Sequence, residues 1–261
     1  MASISLSSLL RIARSGLLSQ QFSIDSISAN IANINTTGYK RSRAEFQELL
    51  VNAQQTPPEG DSRNLGEAAG AAISANQRIF SQGDLATTNR DWDLAIVGDG
   101  FFQVQMPDGT TAYTRDGAFE IDGEGRLTTV SGYLISPEVV VPPDAEATFI
   151  NTDGSVMVRR RGETEPQILA TISLARFNNP GGLESIGHNL YVATGASGEP
   201  EVAQPGSGSV GQIISGALES ANVDLSQEMV DLVSAQRAYS LMTRALKVSD
   251  DMLSMVNQMR G

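Results

Sequence analysis

The chain has 261 residues, 40% of them apolar, and a formal net charge of −12. That length and apolar content suffice for one large or two modest domains, while the acidic balance argues against a nucleic-acid-binding protein, which would carry a basic face. Cysteine is absent and His188 is the single histidine, which excludes disulfides, cysteine nucleophiles and zinc–cysteine clusters and disfavours histidine-based catalysis.

The N-terminal residues predict a long amphipathic helix. From Leu6 to Ile34 one position in every three or four is apolar, with Gln20 as the polar exception. Such a sustained heptad spacing is typical of a helix that packs along one seam. The predicted seam residues are Leu6, Leu10, Leu17, Ile24, Ile27, Ile31 and Ile34.

This helix does not read as a membrane span or as an ordinary signal peptide. No apolar run approaches the roughly 18 to 20 residues that a span needs. Ser7, Ser8, Arg11 and Arg14 interrupt the first twenty residues, so no compact apolar core leads to a cleavage site. We therefore expect no direct membrane insertion and no cleaved signal peptide.

The middle of the chain has the period of β-strands. Residues 93–135 consist of short apolar or alternating runs cut by Asp-Gly pairs, which are hairpin-type turn signals. Further strands are expected at 148–160 and 167–177. Polar stretches rich in Gly and Pro at 52–77 and 195–211 read as connectors. We predict an antiparallel β-domain inserted between terminal helices.

A second long helix is predicted at the C-terminus. Asp224 is a candidate N-cap, and Gln227 stands where it can complete a capping box. Two apolar stripes follow at heptad spacing. Their predicted interface residues are Leu225, Met229, Leu232, Tyr239, Met242, Leu246, Met252, Leu253, Val256 and Met259. Periodicity alone leaves two alternatives open, an intramolecular helix hairpin or an assembly interface.

No pattern of catalytic or ligand-binding residues stands out. The Asp-Gly turns do not match a calcium-binding loop, and the glycine-rich stretch 206–211 follows a linker rather than a strand, which disfavours phosphate binding. We expect no catalytic residue, no metal, no cofactor and no enzyme activity.

Four segments, in order along the chain, resemble the bacterial flagellar axial proteins of the rod and hook. They are "NIANINTTGYKRSRAEFQELL" (30–50), "GDGFFQV" with "AYTRDGAFEIDGEGRLTTVSGYLI" (98–135), "GLESIGHNLYVAT" (182–194) and "ALESANVDLSQEMVDLVSAQRAYSLMTRALKVSDDML" (217–253). Within this family the segment after Gly38 and the chain length resemble the distal rod branch most closely. The alternatives are a proximal rod or hook subunit and, from a different class, a secreted adhesive β-domain on a helical stalk.

The resemblance implies an α+β fold in which paired long N- and C-terminal α-helices, coiled-coil-like, flank an inserted antiparallel β-domain. The implied domains are 1–35 with 220–261 as an inner tube, 36–92 as an extended connector with β-structure, 93–194 as the β-domain and 195–219 as a return linker. Asn35 and Gly38 would stop the first helix, because Gly accepts the left-handed conformation and Asn can satisfy free backbone groups.

The implied function is that of a structural subunit of a helical homopolymer that serves as drive shaft and wall of an export channel. Implied partners are further copies of the chain, proximal rod subunits, hook subunits, basal-body ring proteins and the flagellar type III export apparatus, with no nucleic acid. The implied location is the periplasmic rod. The connector 52–77, which could span up to about 85 Å if fully extended, is expected to lie against a neighbouring subunit and to stiffen the polymer.

Overall fold

The computed structural model describes the backbone of residues 6–50, 68–162, 165–208 and 210–258. Within these ranges it does not describe the side chains of residues 6–11, 48–50, 68–75, 249–250, 253 and 256–257. The chain divides into two compact units. The first combines residues of 1–32, 42–78 and 224–261, and the second combines 33–41 with 79–223.

The first unit contains two helices and a two-stranded ribbon. Helix α1 is Leu6–Ala32, strands β1 and β2 are Ser42–Leu50 and Ala68–Arg78, and helix α2 is Leu225–Gln258. The strands pair antiparallel and contact α1, which also contacts α2. Strand β2 covers the end of the predicted connector 52–77, and the remainder of that prediction lies largely outside the described residues.

Helix α2 begins where the sequence predicted, although its cap differs in one detail. Asp224 Oδ1 accepts hydrogen bonds from the backbone N–H groups of Ser226 (2.8 Å) and Gln227 (3.2 Å). The Gln227 side chain does not return to the cap. It donates instead to Asp231 Oδ1 at 2.9 Å, one helical turn further on.

The predicted fold class is wrong. The protein has one N-terminal and one C-terminal helix and is otherwise rich in β-structure, and the helices do not form a coiled coil of paired long helices. The physical reason lies in what α1 packs against, because its inward side is shared between α2 and the β1–β2 ribbon. Its most buried described side chains are the polar Ser19, Ser26 and Asn30, whereas a coiled coil buries the apolar a and d positions.

The second unit holds antiparallel sheets. The strands are β3 Leu85–Thr87, β4 Leu94–Val97, β5 Phe101–Gln105, β6 Thr111–Thr114, β7 Phe119–Ile121, β8 Leu127–Thr129, β9 Leu134–Ser136, β10 Ala145–Ile150, β11 Ser155–Arg160, β12 Gln167–Thr171, β13 Leu174–Arg176, β14 Glu184–Gly187, β15 Leu190–Val192, β16 Glu201–Ala203, β17 Gln212–Ser215 and β18 Ala217–Glu219. The largest sheet has nine strands, in the order β14-β15-β6-β5-β9-β8-β7, with β13 pairing with β5 and β16 pairing with β13. Three further sheets follow the orders β10-β11-β12, β17-β4 and β18-β3.

Local turn chemistry explains much of this antiparallel order. The Asp-Gly pairs at 108–109, 122–123 and 153–154 each lie between two strands that pair with each other. In all three turns the aspartate side chain accepts a hydrogen bond from the backbone N–H two residues further on. The pairs at 99–100 and 116–117 instead join strands that have other partners.

Apolar side chains from several strands form the core of the second unit. Leu94, Phe102, Phe119 and Leu127 are fully buried in its largest cluster. A neighbouring aromatic cluster packs edge to face, with the Tyr113 and Phe177 ring centroids 4.8 Å apart, a geometry that the ring quadrupoles favour.

Candidate assembly interface

Helix α2 has an inward side that the chain itself covers. Glu228 and Ala235 are buried there, and Leu232, Met242 and Leu246 are half-buried. These five positions recur every three to seven residues and so lie on one side of the helix. A Cβ placed on Gly16 of α1 would be 3.2 Å from Met242 Sδ, which shows how closely the two helices approach at that level.

The opposite side of α2 is apolar and exposed. At about 100° per residue, Val230, Leu241, Val248 and Met255 fall within about 40° of one another and point away from Ala235. Leu241 exposes 62% of its surface and Val230 exposes 64%. We call this surface the outer stripe of α2, which consists of Val230, Val233, Leu241, Val248, Met252 and Met255.

The periodicity of the sequence predicted one residue of the outer stripe, Met252, as part of an interface, and it did not predict the other five. The available signal was a third set of heptad-spaced positions, 230, 237, 241, 244, 248 and 255. Arg237 and Arg244 occupy two of these positions and break the apolar run. The outer stripe together with Arg237 and Arg244 is therefore a mixed surface of aliphatic and guanidinium groups.

The other predicted residues of α2 fall into three groups. Leu232, Met242 and Leu246 belong to the inward side, as described above. Leu225, Met229 and Tyr239 are exposed. The side chains of Leu253 and Val256, and the whole of Met259, lie outside the described residues.

The predicted seam of α1 is only partly covered. Leu17, Ile24, Ile27 and Ile31 are half-buried, as is Ile34 in the turn that follows the helix. The side chains of Leu6 and Leu10 lie outside the described residues.

A buried polar network in the first unit holds α1 to its two neighbours. Asn30 accepts a hydrogen bond from the Ser42 N–H at 2.9 Å and donates to the Ser42 carbonyl at 2.9 Å. The same amide donates to Glu228 Oε2 of α2 at 3.2 Å. Ser26 Oγ lies 3.0 Å from Ser42 Oγ. Because a buried polar group costs free energy when it loses its partner, this network favours one alignment of α1, β1 and α2.

The asparagine-rich turn after α1 belongs to the second unit. Helix α1 ends at Ala32, so the predicted stop residues Asn35 and Gly38 lie three and six residues further on. Gly38 has φ 65° and donates its N–H to the Glu219 carbonyl at 2.8 Å. A Cβ at this position would be 2.4 Å from the backbone nitrogen of Asp116, so both conformation and space require glycine here.

Next to Gly38 lies a buried charge cluster that was not predicted from the sequence. Lys40 Nζ donates to Glu219 Oε1 at 2.6 Å and to the Ser81 carbonyl at 2.7 Å, with both charged side chains fully buried. Arg115 Nη1 reaches the other carboxylate oxygen of Glu219 at 3.4 Å. Burial lowers the pKa of Lys40 below its ordinary value, and the Glu219 carboxylate counteracts part of that shift.

Two absences can be stated for the described residues. Among their side chains no three His, Asp or Glu residues come together in a way that could hold a metal ion. In the same part of the chain no helix is long and apolar enough to cross a membrane.

Three flagellar families match the sequence over separate ranges. Residues 10–40 match a family described as flagella basal body rod protein. Residues 95–158 match the flagellar hook protein FlgE/F/G D1 domain, and residues 214–259 match the flagellar basal body rod FlgEFG protein C-terminal family.

Comparison with individual proteins covers almost the whole chain. The flagellar basal-body rod protein FlgG of Borreliella burgdorferi is 42% identical over 95% of this chain and 97% of its own length. FlgG of Caulobacter vibrioides is 40% identical over 97% of this chain and 99% of its own. The flagellar hook-basal body complex protein FlhP of Bacillus subtilis is 31% identical over 92% of this chain and 94% of its own.

Proposed function

This chain belongs to the FlgG family of flagellar basal-body rod proteins, and from that premise we propose that it polymerises through the outer stripe of α2. The comparisons confirm the predicted rod and hook family and its distal rod branch. The protein is a structural subunit of the distal rod of the flagellar basal body. The polymer it forms would be a helical tube that acts as drive shaft and as wall of the export channel.

The exposure of the outer stripe is the observation that carries the proposal. Val230, Leu241, Val248, Met252 and Met255 are each more than half exposed, and a row of that length is unusual on a protein that stays monomeric. Burying one such side chain completely contributes roughly 1.5–3 kcal/mol, and about half of that remains to be gained on contact, because each of the six is already about half covered in the subunit. Six of them then contribute roughly 4–9 kcal/mol, which is comparable with the roughly 4–15 kcal/mol that association costs in lost freedom of motion.

The arrangement also suits an open polymer rather than a closed dimer. The inward side of α2 is occupied by the chain's own residues, so a second copy can reach only the exposed residues of this helix, to which the outer stripe belongs. A contact between two different surfaces of successive copies generates a helical filament when the rotation between copies does not close a ring. The predicted seam residues of α1, such as Ile24 and Ile31, are half-buried and would then stabilise the subunit itself.

The proposal also includes the direct partners of the chain, its location and its route of export. Family membership supports a place in the basal body with basal-body partners. We propose that the direct partners are further copies of the chain, proximal rod subunits, hook subunits, ring proteins and the export apparatus. We also propose a periplasmic position, export without a cleaved signal peptide, and an inner tube built from residues 1–35 and 220–261.

A pair of matched substitutions on α2 tests the proposal. Leu241→Asp places a charge in the outer stripe, whereas Gln236→Asp places the same residue at another exposed position of the helix. Helix α2 should fold in both variants, because positions 236 and 241 are both exposed in the subunit. We expect Leu241→Asp to abolish polymers in sedimentation and electron microscopy and to abolish motility, and Gln236→Asp to retain both. Normal rods from the Leu241→Asp variant would contradict the proposal.

A further inference from the structure

The second unit includes the residues that connect it to the β1–β2 ribbon and to α2. Arg41 directly precedes β1, and Ile79 directly follows β2. These two residues extend the ladder of the ribbon by one pair, because the Ile79 N–H donates to the Arg41 carbonyl at 2.9 Å. We call this pair the foot of the ribbon. The other connection runs through residues 219–223, which directly precede the cap of α2 at Asp224.

The side chain of Asn222 joins the foot of the ribbon to the connection that leads to α2. In a regular antiparallel pair the two residues exchange both of their backbone hydrogen bonds. Here the other two groups of the foot are both bonded to the Asn222 carboxamide. Its oxygen accepts from the Arg41 N–H at 2.7 Å, and its nitrogen donates to the Ile79 carbonyl at 2.8 Å. One side chain thus holds two segments that lie 181 and 143 positions away in the sequence.

Backbone hydrogen bonds hold the residues before Asn222 but not Asn222 itself. The Glu219 carbonyl accepts from the Gly38 N–H at 2.8 Å, and the Ser220 N–H donates to the Asp84 carbonyl at 2.8 Å. For residues 221–223 the described part of the chain provides no bond between backbone groups. The hydrogen bonds that fix this last stretch before α2 are therefore those of the Asn222 side chain.

The chemistry of the contact requires an amide at position 222. The Asn222 nitrogen also lies 3.0 Å from the Ser81 carbonyl and 2.9 Å from Ser81 Oγ, so its donors face two carbonyl oxygens. A carboxylate of the same shape has acceptors only and would place a negative charge against those oxygens. Asp224, two residues further on, has the opposite task, because it accepts from two backbone N–H groups of α2.

We infer that Asn222 is a positioning residue that holds the start of α2 at the foot of the β1–β2 ribbon. The ribbon and α2 both pack against α1, so a common starting point fixes the alignment in which the two reach that helix. The consequence for assembly rests on the proposed function, since every copy must then present the outer stripe of α2 in the same position. The effect on α2 within one subunit does not depend on polymerisation.

Hydrogen–deuterium exchange of the unpolymerised full-length chain tests the positioning role. In Asn222→Asp we expect the amides of residues 226–232 and 42–46 to exchange at least about tenfold faster than in the parent, because the two connections can then open locally. The amides of β5 and β6 should keep their rates. Asn179→Asp is the matched control, since the Asn179 amide donates to the Ala196 carbonyl at 3.0 Å in an exposed loop of the same unit, and it should change none of these rates.

Sedimentation tests the consequence for assembly. Asn222→Asp should raise the concentration at which polymers form by at least about tenfold, because the loss of hydrogen bonds lowers the population of the aligned subunit. Asn179→Asp should polymerise like the parent. Asn222→Ala, which removes the amide without adding a charge, should behave like Asn222→Asp in both assays.

The possible failures are distinguishable. Unchanged exchange at the start of α2 would overturn the inference and leave the proposed function intact. Unfolding of the whole second unit in both Asn222 variants, seen as a loss of protection in β5 and β6, would show a general structural role and would also overturn it. Faster exchange with normal sedimentation would overturn the role of Asn222 in assembly. Normal assembly of Leu241→Asp would instead reject the proposed function without affecting the exchange result.

Discussion

The substitution Glu219→Gln is expected to destabilise the second unit strongly. The Glu219 carboxylate accepts from Lys40 Nζ at 2.6 Å, from the Gly83 N–H at 2.9 Å and from Arg115 Nη1 at 3.4 Å. Glutamine has the same shape but keeps one acceptor oxygen and no charge. The Lys40 ammonium and the Arg115 guanidinium would stay buried beside each other without a counter-charge.

The size of the effect follows from that burial. Removing one partner of a buried ion pair costs about 3–5 kcal/mol. A chain of this length loses roughly 2–4 °C of melting temperature per kcal/mol, so the midpoint should fall by about 6–20 °C. Lys40→Met together with Glu219→Gln should recover part of the loss, because it replaces the buried ammonium by an apolar group of similar volume.

Thermal and urea unfolding, followed by circular dichroism, measure this loss. Glu201→Gln is the matched control, since Glu201 is an exposed partner of Arg176 at 3.6 Å and such pairs contribute less than about 1 kcal/mol. If the free energy of unfolding of the Glu219→Gln variant lay within about 1 kcal/mol of the parent value, the ion pairs of Glu219 with Lys40 and Arg115 would not stabilise the second unit as described.

Three further changes test separate contacts. Asp224→Ala should lower the stability of α2 by about 1 kcal/mol, measured as an earlier loss of helical ellipticity in urea, because two backbone N–H groups lose their acceptor. Gly38→Ala should destabilise the second unit in the same assay, since its Cβ would lie 2.4 Å from a backbone atom at φ 65°; a change below measurement error would contradict the geometry. Burial raises the pKa of Asp116, so its contribution to stability is present below its ordinary pKa and is lost as pH rises through the raised value. Asp116→Asn, whose side-chain oxygen can still accept a hydrogen bond from Thr37, should therefore flatten the decline of melting temperature as the pH rises from the ordinary pKa of aspartate through the raised pKa of Asp116. An unchanged dependence of melting temperature on pH would argue against the raised pKa.

The sequence predicts the helices and turns that are determined by interactions between residues close together along the chain. The two helices follow from apolar spacing and from the cap at Asp224, and three hairpins follow from Asp-Gly pairs such as Asp122–Gly123, where the turn geometry depends on neighbouring residues. Gly38 could likewise be singled out, because glycine in a polar turn indicates a left-handed conformation. These predictions require no knowledge of what lies across the fold.

The parts of the fold and of the candidate interface that the sequence did not predict depend on contacts between residues that are distant along the chain. Lys40 and Glu219 are separated by 179 positions, so a basic cluster in the sequence gives no sign that one of its lysines is fully buried. Periodicity shows that α2 has apolar faces but not which face the chain itself covers, and for that reason Leu241 was missed. The coiled-coil prediction was wrong because the sequence does not reveal that the β1–β2 ribbon shares the inward side of α1.

Chemical labelling at position 241 tests the central claim most directly. The chain has no cysteine, so Leu241→Cys provides a single reactive thiol in the outer stripe of α2. We predict that a water-soluble maleimide labels this thiol rapidly in the unpolymerised subunit and at least about tenfold more slowly in isolated rods, with full labelling restored after the rods are denatured. Equal labelling rates in the subunit and in the rods would contradict the claim that the outer stripe is the contact between copies.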